Sequence, residues 1–306
     1  SQFDKDVLKS ITQPKIPDEY FEQLNDQNDE EELGRYYFDQ AINDVEILIK
    51  ECYSRTSMMI SKINNDFRNK ILKSSIEVLS SFDINEFIKQ IASSSSISDI
   101  KKTKKSFIKI AREIELLSPD EESIYDKFFQ DYIDELMSMK DNKKMEIEII
   151  AKFQDISRIK KIVSMAEEME MQKEQYLKPI ELFLGTINDF IKTADDEKEL
   201  KIDEYGNLYF QTIYSSDKIS VQNLSSGEKQ LVIFFANLIF RVKGNSSGIF
   251  VVDEPEISLH LSWQKTFVEK ALNINKNIQL IFATHSPELI GKYRNKTFRL
   301  VKEYIG

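Results

Sequence analysis

The chain has 306 residues and an acidic balance, with 42 Lys and Arg against 52 Asp and Glu and a net charge of −10. Its length suits one or two domains. Its charge excludes a protein that wraps nucleic acid over its whole surface, although a local basic patch is compatible with it. The single cysteine, Cys52, excludes an intrachain disulfide framework and a multi-cysteine zinc site, and two histidines exclude a three-histidine metal site.

The beginning of the chain leads to two expectations. It starts with Ser1 rather than Met, no secretory pattern follows, and no apolar run reaches the ~18 residues of a membrane span. We therefore expect a cytoplasmic protein without membrane contact, and a sequence that begins partway into a longer polypeptide. Residues 1–34 are polar and acidic, and they predict an irregular segment that ends at Gly34.

Helical periodicity dominates residues 35–196, which we interpret as a helical insertion or a short coiled-coil arm. Apolar residues recur every three or four positions over residues 42–71, and this spacing predicts one long helix with a single apolar face. Further helices are predicted over residues 83–92, from a cap at Ser98 or Asp99 to about Leu117, from the Ser118-Pro119-Asp120-Glu121 capping pattern onward, along an apolar stripe over residues 153–169, and from Pro179 to about Ile191.

The pattern changes near residues 194–197, where we predict a domain boundary. Residues 200–203 and 208–213 flank a turn at Gly206 and predict a β-hairpin. Two short apolar strands follow, over residues 249–252 and 278–283, with helical segments around them. Because apolar strands that alternate with helices are typical of a largely parallel sheet covered by helices, residues 197–306 predict an α/β lobe.

Two carboxylates, Asp253 and Glu254, come directly after the first of these apolar strands. Open α/β sheets bind their ligands at the carboxyl ends of the strands. An acid at that place can hold Mg²⁺, directly or through water, and its neighbour can orient or deprotonate an attacking water. The alternative interpretation is an ordinary strand end that leads into a helix cap.

A second group, Ser225, Ser226 and Gly227, precedes an almost wholly apolar run over residues 231–240, which we predict to be a buried helix. Ser225 or Ser226 would cap this helix, and serine hydroxyls beside the positive helix end make an anion site. The alternative is an ordinary serine cap on a core helix.

A third candidate is His285, which follows the second apolar strand and precedes a helix start at Ser286-Pro287. A histidine at the end of a strand can donate a hydrogen bond to a phosphate oxygen. The alternative is a structural histidine.

In this order the three groups resemble the ATP-binding-cassette type of P-loop ATPase. The string over residues 253–260, together with residues 284–287, is closest to the RecF/SMC/OLD-like branch, which includes AAA-type ATPases of prokaryotic anti-phage systems such as Septu. The resemblance covers residues 198–306. Residues 224–228 are similar to the signature sequence, 249–254 to the Walker B strand, 258–260 to the D-loop and 284–285 to the switch histidine.

The chain departs from the pattern at two places. His260 stands where transporters carry Asp, although histidine is usual in the branch named above. The Walker A loop, Gly-x-x-x-x-Gly-Lys-Ser/Thr, has no match, because the only Gly-Lys pair is Gly291-Lys292 and Tyr293 follows it. We therefore expect the lobe that cradles the phosphates to be missing from this chain.

The resemblance implies ATP and Mg²⁺ as cofactors and a head-to-head dimer that encloses the nucleotide. Asp253 would hold Mg²⁺ through water, Glu254 would orient the attacking water, and His285 would contact the γ-phosphate. The nucleotide contacts implied for the signature and D-loop are those of Ser225, Ser226, Gly227, Glu228, Ser258 and His260.

Three functions fit these residues. The first is an ATPase subunit that controls a toxic effector or nuclease in bacterial defence. The second is a RecF-like repair clamp that closes on DNA, and the third is a helical scaffold without nucleotide turnover. Only about twenty residues follow His285, so cutting of nucleic acid would need a separate partner chain. The basic side chains between Lys101 and Arg112 predict contact with nucleic acid or an acidic partner, with a solvated helix face as the alternative.

Overall fold

The fold combines long helices with two small sheets, which confirms the predicted α/β class. It divides into two compact units, residues 1–55 with 178–306, here called the α/β unit, and residues 56–177, the helical unit. The computed structural model describes residues 27–77, 96–113, 118–142, 147–194, 197–212, 214–242 and 247–298.

Four helices account for most of the chain before residue 194. They are α1 (Gln27–Glu77), α2 (Ser96–Glu113), α3 (Pro119–Asn142) and α4 (Ile147–Thr193), and α1 and α4 contribute residues to both units. The prediction of an irregular segment up to Gly34 is wrong for residues 27–34, which form the start of α1. Residues 1–26 and the helix predicted over residues 83–92 lie outside the described residues.

Local capping explains two helix starts. The predicted capping pattern at Ser118 is confirmed, because the amide and hydroxyl of Ser118 both donate to the Glu121 carboxylate, at 2.9 and 2.8 Å. The predicted cap at Ser98 or Asp99 is wrong, since α2 already begins at Ser96 and Asp99 lies in its first turn, where an acidic side chain is also favourable.

Pro179 does not open a helix as predicted but lies inside α4. A proline in a helix removes one backbone donor and crowds the preceding turn. In that turn the Thr56 hydroxyl donates to the Tyr176 carbonyl at 3.4 Å, so a side chain on α1 partners the backbone there. The helix α4 therefore continues through Pro179, a residue type that usually marks a helix end.

The helical unit has its own apolar core, and the predicted stripe of α4 contributes to it. Phe107 and Phe129 lie 6.3 Å apart between ring centroids and join α2 to α3. Burial raises the pKa of the Tyr132 phenol, and the nearby Glu135 carboxylate adds to the shift. The best-buried side chains of this core are Ile100, Phe129, Tyr132, Ile133, Ile156 and Ala166.

The α/β unit contains a three-stranded antiparallel sheet in the order β1 (Lys198–Ile202), β2 (Leu208–Thr212) and β3 (Lys218–Ser220). The first two strands confirm the predicted hairpin, and β3 was not predicted. Gly206 in the turn has φ +85°, and a Cβ there would lie 3.1 Å from the Tyr53 ring, so the turn requires glycine.

A parallel strand pair forms the second sheet. It consists of β4 (Gly248–Asp253) and β5 (Ile278–Ala283), with Asp253 opposite Ala283 in the register. The predicted apolar strands are therefore confirmed as neighbours. Around them lie α5 (Ser226–Ala236), α6 (Leu261–Ile274) and the short α7 (Pro287–Ile290).

The core of the α/β unit reaches beyond the lobe predicted from residue 197. Ile42 and Ile49 of α1 and Phe190 of α4 are fully buried in it. The rings of Phe190 and Phe235 pack with their centroids 5.3 Å apart. The Phe190 carbonyl accepts a 2.7 Å hydrogen bond from the indole of Trp263. The ends of α1 and α4 thus belong to the same packed body as α5 and α6.

One face of the parallel pair is apolar and exposed. Ile249 is 61% exposed, Val251 71% and Ile281 45%, whereas Phe250 and Phe282 point to the core. Parallel sheets are normally covered on both faces, so this surface is unusual for its type. None of the helices in the described part of the chain combines the length and the apolar character needed to cross a membrane.

Candidate functional site

The carboxyl ends of β4 and β5 bring the predicted acids and the predicted histidine to one edge. The amide of Glu254 donates to the Ala283 carbonyl at 2.8 Å, which extends the ladder by one residue beyond Asp253. His285 lies two residues after Ala283, in the loop that follows β5. Strand pairing alone therefore juxtaposes groups that are separated by about thirty residues in the sequence.

Glu254 and His285 face each other across this edge. The imidazole Nε2 lies 3.9 Å from the Glu254 Oε1, and the two side chains are 93% and 44% exposed, in that order. Glu254 has φ +42°, and no other non-glycine residue among those described has a positive φ. A non-glycine residue in this region costs roughly 1–3 kcal/mol, and such strain clusters at functional sites.

Ser225 caps α5, which is one of the two predicted possibilities, Ser225 or Ser226. Its hydroxyl accepts from the Glu228 amide at 3.4 Å, and the Glu228 carboxylate accepts from the Ser225 amide at 2.9 Å. The side chains of Ser225 and Ser226 are exposed at the positive end of the helix. They can therefore donate hydrogen bonds to an anion there.

Glu228 is only 3% exposed. Its carboxylate forms the capping box with Ser225 and an ion pair with Lys198 at 2.5 Å. These are the contacts of a structural residue, and the predicted nucleotide contact of Glu228 stays a prediction.

Gly227 is buried against the loop that precedes α6, for which the D-loop role stays a prediction. A Cβ on Gly227 would lie 2.2 Å from the Ser258 carbonyl oxygen, a distance that no side chain can adopt. The backbone of the signature turn and the backbone at Ser258 are therefore in direct contact within one chain. A few residues on, His260 caps α6, and its Nδ1 accepts from the Ser262 amide at 3.4 Å.

Sequence reasoning missed a group of polar residues that joins these loops. Glu256 accepts hydrogen bonds from two consecutive amides, His285 at 2.6 Å and Ser286 at 3.1 Å. Gln264 on α6 donates to the Glu256 and Leu259 carbonyls at 3.2 and 2.9 Å. The Ser286 hydroxyl donates back to Gln264 at 2.7 Å. The one local signal was a glutamine four positions after His260.

Asp253 fits the donor type that Mg²⁺ prefers. Its carboxylate is exposed at the strand end, and no hydrogen bond to it from another described side chain occurs. Mg²⁺ in nucleotide sites takes one or two carboxylates together with phosphate oxygens and water. Within the described ranges no three His, Cys, Asp or Glu side chains cluster as a complete protein-only metal site.

The chain is similar to several known proteins. The family model described as "AAA domain, putative AbiEii toxin, Type IV TA system" matches residues 63–291. The "Retron Vc95 probable ATPase" of Vibrio cholerae serotype O1 biovar El Tor is 27% identical over 193 residues, 58% of this chain and 37% of that protein. The "Retron Ec83 probable ATPase" of Escherichia coli is 33% identical over 93 residues, 28% of this chain and 17% of that protein.

This chain therefore spans little more than a third of the first relative and less than a fifth of the second. Among solved structures, a crystal structure of the Smc head domain with a coiled coil and joint, derived from Pyrococcus yayanosii, aligns with 84% of this chain and 61% of its own length. The identity is 13% and the TM-score 0.27.

Proposed function

The chain belongs to the AAA-domain family whose model matches residues 63–291, and on that premise we propose that it binds and hydrolyses ATP. Binding of ATP joins it to a second copy, and the dimer controls a separate effector or nuclease in prokaryotic anti-phage defence. Both curated relatives are named as retron probable ATPases, and the family description names a putative toxin of a Type IV TA system. These names support ATP hydrolysis in a defence-associated role.

The observation that carries the proposal is the edge where Asp253, Glu254 and His285 converge. Phosphoryl transfer needs charge neutralisation and a positioned nucleophile more than covalent chemistry from the protein. An exposed carboxylate, a second carboxylate and an imidazole 3.9 Å from it are suited to those tasks.

Each side chain would have one task in hydrolysis. Asp253 would hold Mg²⁺ directly or through water, and the cation would supply charge neutralisation at the phosphates. Glu254 would accept a hydrogen bond from the attacking water and orient it. His285 would donate a hydrogen bond to the γ-phosphate oxygen.

The exposed hydroxyls of Ser225 and Ser226 would act on the nucleotide of the second copy. They lie at the positive end of α5, where anions are stabilised. Because the two copies then share each nucleotide, ATP would hold the dimer together and hydrolysis would release it.

The phosphate-cradling loop is proposed to come from another segment or chain. The apolar face made by Ile249, Val251 and Ile281 supports this proposal, because a covering lobe would bury surface that parallel sheets seldom leave exposed. The lobe that covers this face would carry the Gly-x-x-x-x-Gly-Lys-Ser/Thr sequence.

The test uses the full-length protein. Glu254→Gln keeps the side-chain shape but removes the base, so kcat for phosphate release should fall about 100-fold or more. ATP-bound dimers should accumulate, as measured by light scattering with Mg²⁺ and ATP. Glu288→Gln is the matched control, because Glu288 is equally 44% exposed and forms only a loose ion pair with Lys265. Turnover by Glu254→Gln at the wild-type rate would contradict the proposal.

The repair-clamp alternative predicts a different response in the same assay, namely faster hydrolysis with duplex DNA. In the basic segment Lys104 pairs with Asp126, and Arg112 pairs with Glu122. Lys101, Lys102 and Lys105 are exposed and could contact phosphates. Contact of this segment with nucleic acid stays a prediction, and an ATPase rate unaffected by DNA would favour effector control.

A further inference from the structure

The side chain of His285 is almost entirely exposed, so packing around the imidazole does not determine its place. What determines its place is the backbone on either side. Before it, the Glu254 amide is bonded to the Ala283 carbonyl at 2.8 Å. At the histidine itself, the amide donates to the Glu256 carboxylate at 2.6 Å.

Glu256 therefore ties the loop after β4 to the loop after β5. Its Oε1 accepts from the amides of both His285 and Ser286, which is a charge-assisted pair of hydrogen bonds. Since Glu256 stands two residues after Glu254, the tie limits how far Glu254 and His285 can separate.

Gln264 extends this tie to the signature turn. Its amide nitrogen donates to the carbonyls of Glu256 and Leu259, and its amide oxygen accepts from the Ser286 hydroxyl. Leu259 follows Ser258, whose carbonyl touches Gly227. The Gln264 side chain thus contacts the loop after β4 and the loop after β5. It also bonds to Leu259, the residue next to Ser258, which touches Gly227.

We infer that Glu256 and Gln264 form a clamp that positions His285 against Glu254 and couples this pair to the Ser258–Gly227 contact. Neither residue touches the reacting groups directly, so both are positioning residues. The inference rests on the proposed ATPase function and adds a regulatory route to it. A nucleotide that presses on the signature turn of one copy shifts Ser258, and the clamp passes that shift to the His285 of the same copy.

The test compares kcat, KM for ATP and Tm in the full-length protein. Glu256→Ala removes both charge-assisted bonds, so kcat should fall at least about tenfold while KM stays within about threefold, because the ground-state contacts to ATP remain. Glu256→Gln keeps an uncharged acceptor and should recover part of the rate. Glu288→Ala, which removes an exposed carboxylate of α7, should leave kcat unchanged.

A purely structural role would lower Tm but leave kcat unchanged in assays well below Tm, and that result would overturn the inference. If Glu256→Ala does not fold, Ser286→Ala decides, because it removes only the hydroxyl that bonds to Gln264 and caps α7. It should lower kcat at unchanged KM, and a wild-type kcat would again overturn the clamp.

Failure of the clamp and failure of the proposed function are distinguishable. If Glu254→Gln is inactive while Glu256→Ala and Ser286→Ala keep wild-type kcat, the clamp is wrong and the ATPase proposal stands. If wild type and Glu254→Gln release phosphate at the same rate, both are wrong.

Discussion

Gly227 and Ser258 touch through their backbones, and a Cβ at position 227 would lie 2.2 Å from the Ser258 carbonyl oxygen. The contact joins the first turn of α5 to the loop that precedes α6. A glycine in this turn therefore has a packing reason that is independent of any nucleotide. The same contact would align the exposed hydroxyls of Ser225 and Ser226 with the D-loop.

The first prediction concerns Gly227→Ala. Because the obstacle is a backbone oxygen, α5 or the loop must shift, and the free energy of unfolding should fall by about 1–3 kcal/mol. Urea unfolding, followed by circular dichroism, measures this change. Displacement of the signature turn should also lower ATP-dependent dimer formation in the full-length protein.

Gly185→Ala provides the matched control for this prediction. Gly185 lies in α4, and a Cβ there meets nothing within 4 Å, so alanine should stabilise the helix by up to about 1 kcal/mol. Equal stability changes for the two variants would contradict the close contact between Gly227 and Ser258.

The second prediction concerns the backbone of Glu254, whose φ is +42°. Glu254→Gly and Glu254→Ala both remove the carboxylate, but only glycine relieves the backbone. Glu254→Gly should be more stable than Glu254→Ala by about 1 kcal/mol, although a glycine usually lowers the free energy of unfolding relative to alanine. Thermal and denaturant unfolding measure the difference.

Both Glu254 variants should lack ATP hydrolysis, because each lacks the proposed base. An equal stability of the two would show that residue 254 relaxes out of the left-handed region without cost. The strain would then have no role in holding the site.

The third prediction is a pH dependence that depends on Glu256. Burial by itself raises the pKa of this carboxyl, but hydrogen bonds from the Thr284 hydroxyl and from the amides of His285 and Ser286 outweigh it. The net pKa lies below the ordinary value of 4.5. Stabilisation by the carboxylate is therefore complete above pH 4.5 and is lost as pH falls through the lower, folded-state pKa.

The measured quantity is the difference in free energy of unfolding between wild type and Glu256→Gln. Wild type should be more stable at neutral pH, and its advantage should shrink below about pH 4.5, where the unfolded carboxyl takes up a proton. Other carboxylates titrate in both proteins and cancel in the difference. An advantage that grows on acidification would reverse the sign and contradict the hydrogen bonds to Glu256.

Features encoded over a few consecutive residues could be predicted from the sequence. The capping pattern at Ser118 and the cap at Ser225 both place Glu three positions after Ser. In each, the Glu carboxylate accepts a hydrogen bond from the backbone amide of the Ser. The strands around Asp253 and His285 could be predicted because a short apolar run bounded by polar residues has few other solutions. The roles of these residues in ATP hydrolysis stay predictions.

Errors arose where a distant contact outweighed a local rule. Pro179 is a usual helix boundary, yet α4 runs through it beside the Thr56 hydroxyl of another helix. The domain boundary near residues 194–197 stays a prediction, but Phe190, which precedes it, is buried with Phe235 and Trp263, and the local pattern gave no sign of this packing. No periodic pattern in the sequence predicts such packing of aromatic side chains from separate segments.

The sequence by itself determined most of the helices, the strands β1, β2, β4 and β5, and the polar groups at their ends, because periodicity and capping act within one or two turns. Only the tertiary structure decided that Glu254 lies 3.9 Å from His285 and that Glu256 and Gln264 hold the two loops together. Those distances depend on how β4 pairs with β5 and how α6 packs beneath them. Pairing and packing are set by the burial of side chains that lie far apart in the chain, and no short stretch of sequence contains that information.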